Sequence, residues 1–284
     1  MPILAIDIGG TKTAAALIDD DDLLLEHTTW PSLRDASEAL ERIVAVCSPW
    51  APRASAAGVS FGGQFDFANQ TCVRSMHIPG WDGVDISARL ERALHVPTMT
   101  DNDANVAALG EYALAAPKDR DPMLYVTVST GVGAAIIANN QLVRGAHSLA
   151  GELGHLPIGH DKACNCGATG CLERAVSGFW IEHDHGIPAA EYLSDQSNFD
   201  AWLADLAVGL WSSTVLLDPA LIVLGGGMTT QGDRLLEPLR ALIDERARAS
   251  NRTPPRIELG DSSGRTVLIG AAELAKEVSD GPRG

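Results

Sequence analysis

One short pattern, met twice, restricts this chain more than any other. Leu4-Ala5-Ile6-Asp7-Ile8 alternates as a strand does, bends at Gly9-Gly10-Thr11-Lys12-Thr13, and resumes as Ala14-Ala15-Ala16-Leu17-Ile18. The pattern returns 120 residues later as Leu124-Tyr125-Val126-Thr127-Val128, Ser129-Thr130-Gly131-Val132-Gly133 and Ala134-Ala135-Ile136-Ile137. Aligned position by position, Leu4 meets Leu124, Ile6 meets Val126 and Thr13 meets Gly133. Each copy reads as a hairpin whose bend uses glycine's freedom in φ. Two unrelated hairpins would leave the same trace as a duplication. Read as a duplication, they predict two related lobes facing each other across a cleft, and 284 residues suffice for two.

Other strands also end in glycine. Ala56-Ala57-Gly58-Val59-Ser60-Phe61 runs into Gly62-Gly63, and Leu221-Ile222-Val223-Leu224 runs into Gly225-Gly226-Gly227 before a helix. Helical patterns fall at about 35–47, 84–94, 103–115, 200–216, 233–248 and 270–278, the fourth stopped by Asp218-Pro219. Such alternation predicts an α/β fold whose ligands sit at the C-terminal ends of strands. The first lobe is expected over 1–115, with a C-terminal helix at about 270–284 packing back on it. The second is expected over 116–269, and residues 116–122 are the best linker.

Composition narrows the partners. Acids outnumber bases by 37 to 21, a net charge of −16 that repels phosphate backbones and argues against nucleic acid. No apolar run approaches the roughly 20 residues needed to cross a bilayer. The start, Met1-Pro2-Ile3-Leu4-Ala5-Ile6-Asp7, meets an acid at once and lacks the basic region of a signal peptide. The expectation is a cytoplasmic protein with no membrane partner.

Chemistry is legible in three places. The bend Asp7-x-Gly9-Gly10-Thr11-Lys12-Thr13 offers backbone N–H groups as an anion nest, and Asp7 suits a hydrated Mg²⁺. Ser129, Thr130 and Gly131 offer the same from the second hairpin, and Gly225-Gly226-Gly227 a flat wall for adenine and ribose. There is no G-x-x-x-x-G-K-[ST] loop, so the chain is not a P-loop protein. Asp101-Asn102-Asp103-Ala104-Asn105 opens a helix; one cap would suffice there, and a surplus carboxylate can take a hydroxyl proton. Lastly, His155, Cys164, Cys166 and Cys171 form H-x8-C-x-C-x4-C, which suits a structural, tetrahedral Zn²⁺ site, with His160 as the competing ligand and a redox role as the weaker alternative. Cys47 and Cys72 read as buried apolar residues, and His183-Asp184-His185 as a solvated loop rather than a second metal site. Glu152 and Glu173 flank the cysteine loop and suit vicinal hydroxyls, although either alone is ordinary surface.

Together these residues resemble the ROK family of sugar kinases and sugar-responsive repressors, within the two-lobed actin-like (hexokinase-like, Hsp70-like) ATPase fold. The matching segments are Asp7-Ile8-Gly9-Gly10-Thr11-Lys12, Asn102-Asp103-Ala104-Asn105, Ala150-Gly151-Glu152-Leu153-Gly154-His155, the loop from Cys164 to Glu173, and Leu224-Gly225-Gly226-Gly227. The resemblance implies that Asp103 is the general base activating a hexose 6-hydroxyl against the γ-phosphate of MgATP. It implies sugar contacts from Gly63, Asn102, Asp103, Glu152, His155 and Glu173, His155 being also a zinc ligand. Asp7, Gly9, Gly10, Thr11, Lys12, Thr130 and Gly131 match the phosphate and magnesium region, and Gly225 and Gly226 the adenosine wall.

Two departures bear on specificity. The family's Pro-Gly after the third strand is here Gly62-Gly63, and the chain between Ser177 and Asp205 is shorter than in many relatives, which leaves a homodimer open. His77-Ile78-Pro79-Gly80-Trp81 is similar to glucokinase-like members, while the turn from Val128 to Gly133 is as similar to N-acetylmannosamine kinases. Glucose is the first expectation, and N-acetylmannosamine or N-acetylglucosamine the alternative. The rival class is a non-catalytic sugar-sensing regulator without a DNA-binding domain, and the acidic balance and Asp103 weigh against sensing alone.

Overall fold

The first strand shows why the chain folds in layers. In β1 (Ile3–Ile8), Leu4, Ile6 and Ile8 point into one apolar cluster, and Ile3 and Ala5 into another. A strand buried on both faces needs a cover on each. The computed structural model describes residues 1–75, 80–115 and 120–279; His77-Ile78-Pro79 and part of the expected linker lie outside the described residues. The chain divides into one unit of Met1–Ala115, Arg144–Ser148 and Ser263–Gly284, and another of Ala116–Val143 and Leu149–Ser262.

In the first unit β1 pairs antiparallel with β2 (Lys12–Ile18), which pairs with β3 (Leu24–Pro31). After α1 (Ala36–Cys47), β4 (Ala57–Phe61) lies parallel to β1. A small hairpin, β5 (Gln64–Asp66) and β6 (Thr71–Arg74), precedes α2 (Ile86–Leu94), β7 (Thr98–Asn102) and α3 (Asp103–Leu114). The sheet runs β3-β2-β1-β4-β7. Caps set the helix starts: Asp35 accepts from the Ser37 and Glu38 N–H groups, and Asp85 from Ala88.

The second unit repeats the plan. Its elements are β8 (Met123–Val128), β9 (Val132–Ala138), β10 (Gln141–Leu142), α4 (Leu172–Val176), α5 (Gly178–His185), α6 (Ala189–Tyr192), α7 (Gln196–Leu217), β11 (Leu221–Gly225), α8 (Asp233–Ala249) and β12 (Arg256–Leu259). The sheet order is β10-β9-β8-β11-β12. Leu124, Val126 and Val128 of β8 and Ile222 and Leu224 of β11 join Phe199, Leu206 and Leu210 of α7 in one core. Cys47 and Cys72 are buried, as expected, and burial pushes their thiols up to about 12 and about 11.

Three expectations need correction. In the first hairpin Ile8 faces Thr13, but in the second Val128 faces Val132, so the second turn is one residue shorter and Thr13 corresponds to Val132 rather than Gly133. His183-Asp184-His185 closes helix α5 between Ser177 and Gly186 instead of forming a loop, and Asp184 is gripped by both Arg174 nitrogens at 2.7 and 2.9 Å. The triple glycine leads into a single 3₁₀ turn, Gly227–Thr229, and α8 starts only at Asp233.

The chain returns to the first unit as α9 (Arg265–Ser279), which covers the small-residue face of the sheet. Ala5, Ala14 and Ala16 lower that face, and glycines allow backbone to meet backbone. A Cβ on Gly58 would stand 1.7 Å from the Ala271 carbonyl oxygen, one on Gly110 2.0 Å from that of Thr266, and one on Gly270 1.8 Å from that of Val106. Among the described residues no helix is long and apolar enough to cross a membrane.

Candidate active site and metal centre

In the first unit the strand ends bring two carboxylates into electrostatic reach. Asp7 closes on the neighbouring strand, accepting the Ser60 hydroxyl at 2.8 Å. Burial pushes it up to about 6; the Ser60 bond and Lys12 pull it down, while the charge of Asp103 adds to the rise. Asp103 is the first residue of α3. The residue is exposed at the surface yet crowded by protein, and the lost hydration lifts its carboxyl to about 6 against hydrogen bonding from the Ala104 N–H and Asn102. Asn102, the cap of α3, accepts the Ala104 N–H at 3.0 Å and donates Nδ2 to the Gly63 carbonyl at 2.8 Å. Asp103 thus projects beside Gly62-Gly63, with Gly62 donating its N–H to the Ile8 carbonyl at 3.1 Å.

The turn after Asp7 is pinned from outside the motif. The Gly9 N–H closes on the Lys12 carbonyl at 3.1 Å, and Ser32, just past β3, donates its hydroxyl to the Gly9 carbonyl at 2.6 Å and its N–H to the Thr11 carbonyl at 3.1 Å. Gly10, Thr11 and Lys12 are left exposed. Ser32 and Ser60 carry no local signal in the sequence, since only pairing of distant strands brings them here.

The second unit assembles a matching set. The Ser129 N–H closes on the Gly131 carbonyl at 2.9 Å, and the Ser129 and Thr130 carbonyls accept from Gly178 and Phe179 at the start of α5. Glu173 of α4 turns to this hairpin: its Oε2 accepts the Val132 N–H at 2.9 Å and would lie 2.8 Å from a Cβ on Gly131. One of its oxygens is therefore committed to the turn. Gly225 ends β11, and Gly226, at φ +90°, passes so close that a Cβ would meet the Val128 carbonyl oxygen at 2.4 Å. Thr130, Gly131, Gly225 and Gly226 thus gather where β8 and β11 end.

The four sulfur and imidazole ligands also converge. The candidate donor atoms of His155, Cys164, Cys166 and Cys171 all lie within 4.8 Å of one another. Sulfurs at about 2.3 Å from a tetrahedral zinc stand roughly 3.8 Å apart. Cys166 and Cys171 are 3.5 Å apart, and His155 Nδ1 is 3.9 Å from Cys164 Sγ, so the set fits such an ion. His155 Nε2 faces Glu152 Oε2 at 3.8 Å, beyond hydrogen-bond length but within reach of its charge. His160 is occupied elsewhere: its Nε2 meets the Cys171 carbonyl at 3.0 Å and its Nδ1 the Lys162 N–H at 3.2 Å.

Known proteins are similar to this chain. The model of the ROK family matches residues 3–278. The chain is 28% identical to a glucokinase of Streptomyces coelicolor over 96% of its own length and 97% of the relative's. It is 36% identical over 193 residues to an N-acetylmannosamine kinase of Shigella flexneri, covering 67% and 64% of the two. At 30% identity it covers 96% of itself but only 54% of the bifunctional enzyme NanE/NanK of Brucella melitensis, so it spans about half the length of that relative. Among solved structures, the ROK hexokinase of Thermus thermophilus superposes at TM-score 0.86 with 30% identity over 99% of this chain and 100% of that one. A ROK glucokinase of Streptomyces griseus, in complex with glucose and AMPPNP, superposes at 0.80 with 26% identity over 98% and 100%. On the family model and these likenesses together, this chain belongs to the ROK family.

Proposed function

We propose that this protein is an ATP-dependent sugar kinase that phosphorylates the 6-hydroxyl of a hexose, with glucose as the first substrate. The observation that carries the reading is Asp103: a carboxyl at a helix start, lifted to about 6, is ionised at neutral pH and still basic enough to accept a hydroxyl proton. As the sugar O6 forms its bond to the γ-phosphorus, that proton passes to Asp103 and the bond to the ADP oxygen breaks. Gly63, Asn102, Asp103, Glu152, His155 and Glu173 are the sugar contacts of this reading. Gly9, Gly10, Thr11 and Lys12, with Thr130 and Gly131, cradle phosphates, and Gly225 and Gly226 flank the adenosine. Asp7 suits a hydrated Mg²⁺, which when bound would neutralise phosphate charge. His155, Cys164, Cys166 and Cys171 would hold Zn²⁺ and so keep Glu152 and Glu173 in place.

The named glucokinases support glucose; the Shigella relative supports N-acetylmannosamine as the second reading. A coupled ADP-release assay on glucose, mannose, fructose, N-acetylglucosamine and N-acetylmannosamine tests both, with Asp103→Ala beside it. Turnover of one sugar, abolished in the variant, is the expected result. Silence across the panel from folded, zinc-loaded protein would overturn the kinase reading.

A further inference from the structure

The junction that presents Asn102 and Asp103 is held from behind by a carboxylate that the proposed chemistry does not use. Asp101 is 1% exposed. Its Oδ1 accepts the Asn102 N–H at 2.7 Å and the Asn105 side-chain amide at 2.9 Å. Its Oδ2 accepts Nε–H of Arg144 at 2.8 Å. That guanidinium is itself fixed: a second nitrogen donates to Glu277 of α9 at 3.1 Å, and its plane lies 3.6 Å over the Phe67 ring.

Arg144 reaches this place by a detour. Residues Arg144–Ser148 belong to the first unit although the chain on either side belongs to the second. The far end of the detour is tied down too, with the Ser148 hydroxyl accepting the Phe67 N–H at 3.1 Å. A carboxylate as buried as Asp101 keeps its charge only with a partner. Without one its Oδ2 would be left without its hydrogen-bond donor in the interior, and its grip on the Asn102 backbone would loosen.

We infer that Arg144 is a positioning residue for the general base: it holds Asp101, and Asp101 holds the Asn102 N–H and the Asn105 side chain, between which Asp103 rides. The inference rests on the kinase reading above. Asn102 is the point of transmission, because its side chain bridges the Gly63 carbonyl and the Ala104 N–H, and Asp103 Oδ1 shares that same N–H at 2.9 Å. A shift there moves the base and the sugar loop together. Phosphoryl transfer depends chiefly on positioning, and a misplacement of about 1 Å costs on the order of 100-fold. Lysine would keep the charge but lacks the planar fork that reaches Asp101 and Glu277 while lying on Phe67.

The test uses the sugar that the wild-type protein turns over. Arg144→Ala, Arg144→Lys, Asp101→Asn and the Arg144→Ala/Asp101→Asn pair are compared by kcat, KM for ATP and melting temperature. Arg144→Ala is expected to lower kcat by roughly 10- to 100-fold, with KM for ATP within about threefold. Arg144→Lys should recover part of the loss, and the double variant should be no worse than Arg144→Ala, since both changes break one contact. A kcat within about twofold of wild type in Arg144→Ala, or losses that multiply in the pair, overturns the positioning role and leaves the kinase reading standing. If Arg144→Ala does not fold, Arg144→Lys decides: a kcat lowered by about three- to tenfold at the wild-type melting temperature supports the role, and an unchanged kcat overturns it. A folded wild-type protein that turns over no sugar overturns both.

Discussion

Asp103 is ionised at neutral pH by a narrow margin, and the margin has a sign. With its carboxyl near 6, kcat/KM is expected to climb with pH up to about 6 and then level, which a pH–rate profile on the preferred sugar checks. Folding runs the other way. A carboxyl raised above its unfolded value of 3.8 binds more protons in the native state between pH 4 and 6, so stability falls as pH rises through that window. Asp103→Asn should therefore melt above the wild type at pH 7.5 while losing about 10²- to 10⁴-fold in kcat; equal or lower melting would contradict the strain assigned to this charge. Asp103 stood out as a candidate because a helix start with more polar residues than capping needs is unusual. The cysteine set was legible from spacing alone. Ser32, Ser60 and the Asp101–Arg144 pair were not, since each acts through a partner that only the folded sheets bring near.

At the scale of elements, glycines and caps announced what alternation blurred. Both hairpins and both glycine-ended strands stood out because a bend leaves a strong local mark. The one-residue difference between the turns did not, since Val132 and Gly133 fit either register by pattern. β3 escaped because Leu24–Pro31 carries Glu, His and Thr on an edge strand with only partial burial. α5 escaped because eight residues make too little helical period to see. The cysteine loop ends in α4, whose Leu172 packs so closely on α7 that a Cβ on Gly209 would meet it at 2.4 Å. Metal there should therefore steady the core as well as the loop. One zinc per chain is expected by elemental analysis, and chelation or Cys166→Ser should lower the melting temperature by several degrees; an unchanged melt with no bound metal would count against the ion. In the other unit, Gly58→Ala places a methyl on the α9 backbone. It should destabilise by about 3 kcal/mol or more, read by denaturant titration.

For the molecule as a whole, the decisive element is α9. Leu268, Ala271, Leu274 and Ala275 of α9 are buried against the first sheet and α3, so a chain stopped at Asp261 leaves one face of that sheet bare. Such a truncation is expected to aggregate, or to bind a hydrophobic dye, whereas the full chain does neither. A soluble, cooperatively melting truncation would show that α9 is dispensable.

That dependence reverses the usual timetable of synthesis, in which the segment made first folds first. As the chain leaves the ribosome, β1 and β2 emerge well before α9 and wait for a layer that is translated after every strand it covers. The second unit, encoded almost wholly between residues 116 and 262, has all its strands while the first still lacks its roof. The nascent first sheet is thus the stretch that chaperones would shelter longest, and a pause in translation before residue 265 would prolong its exposure.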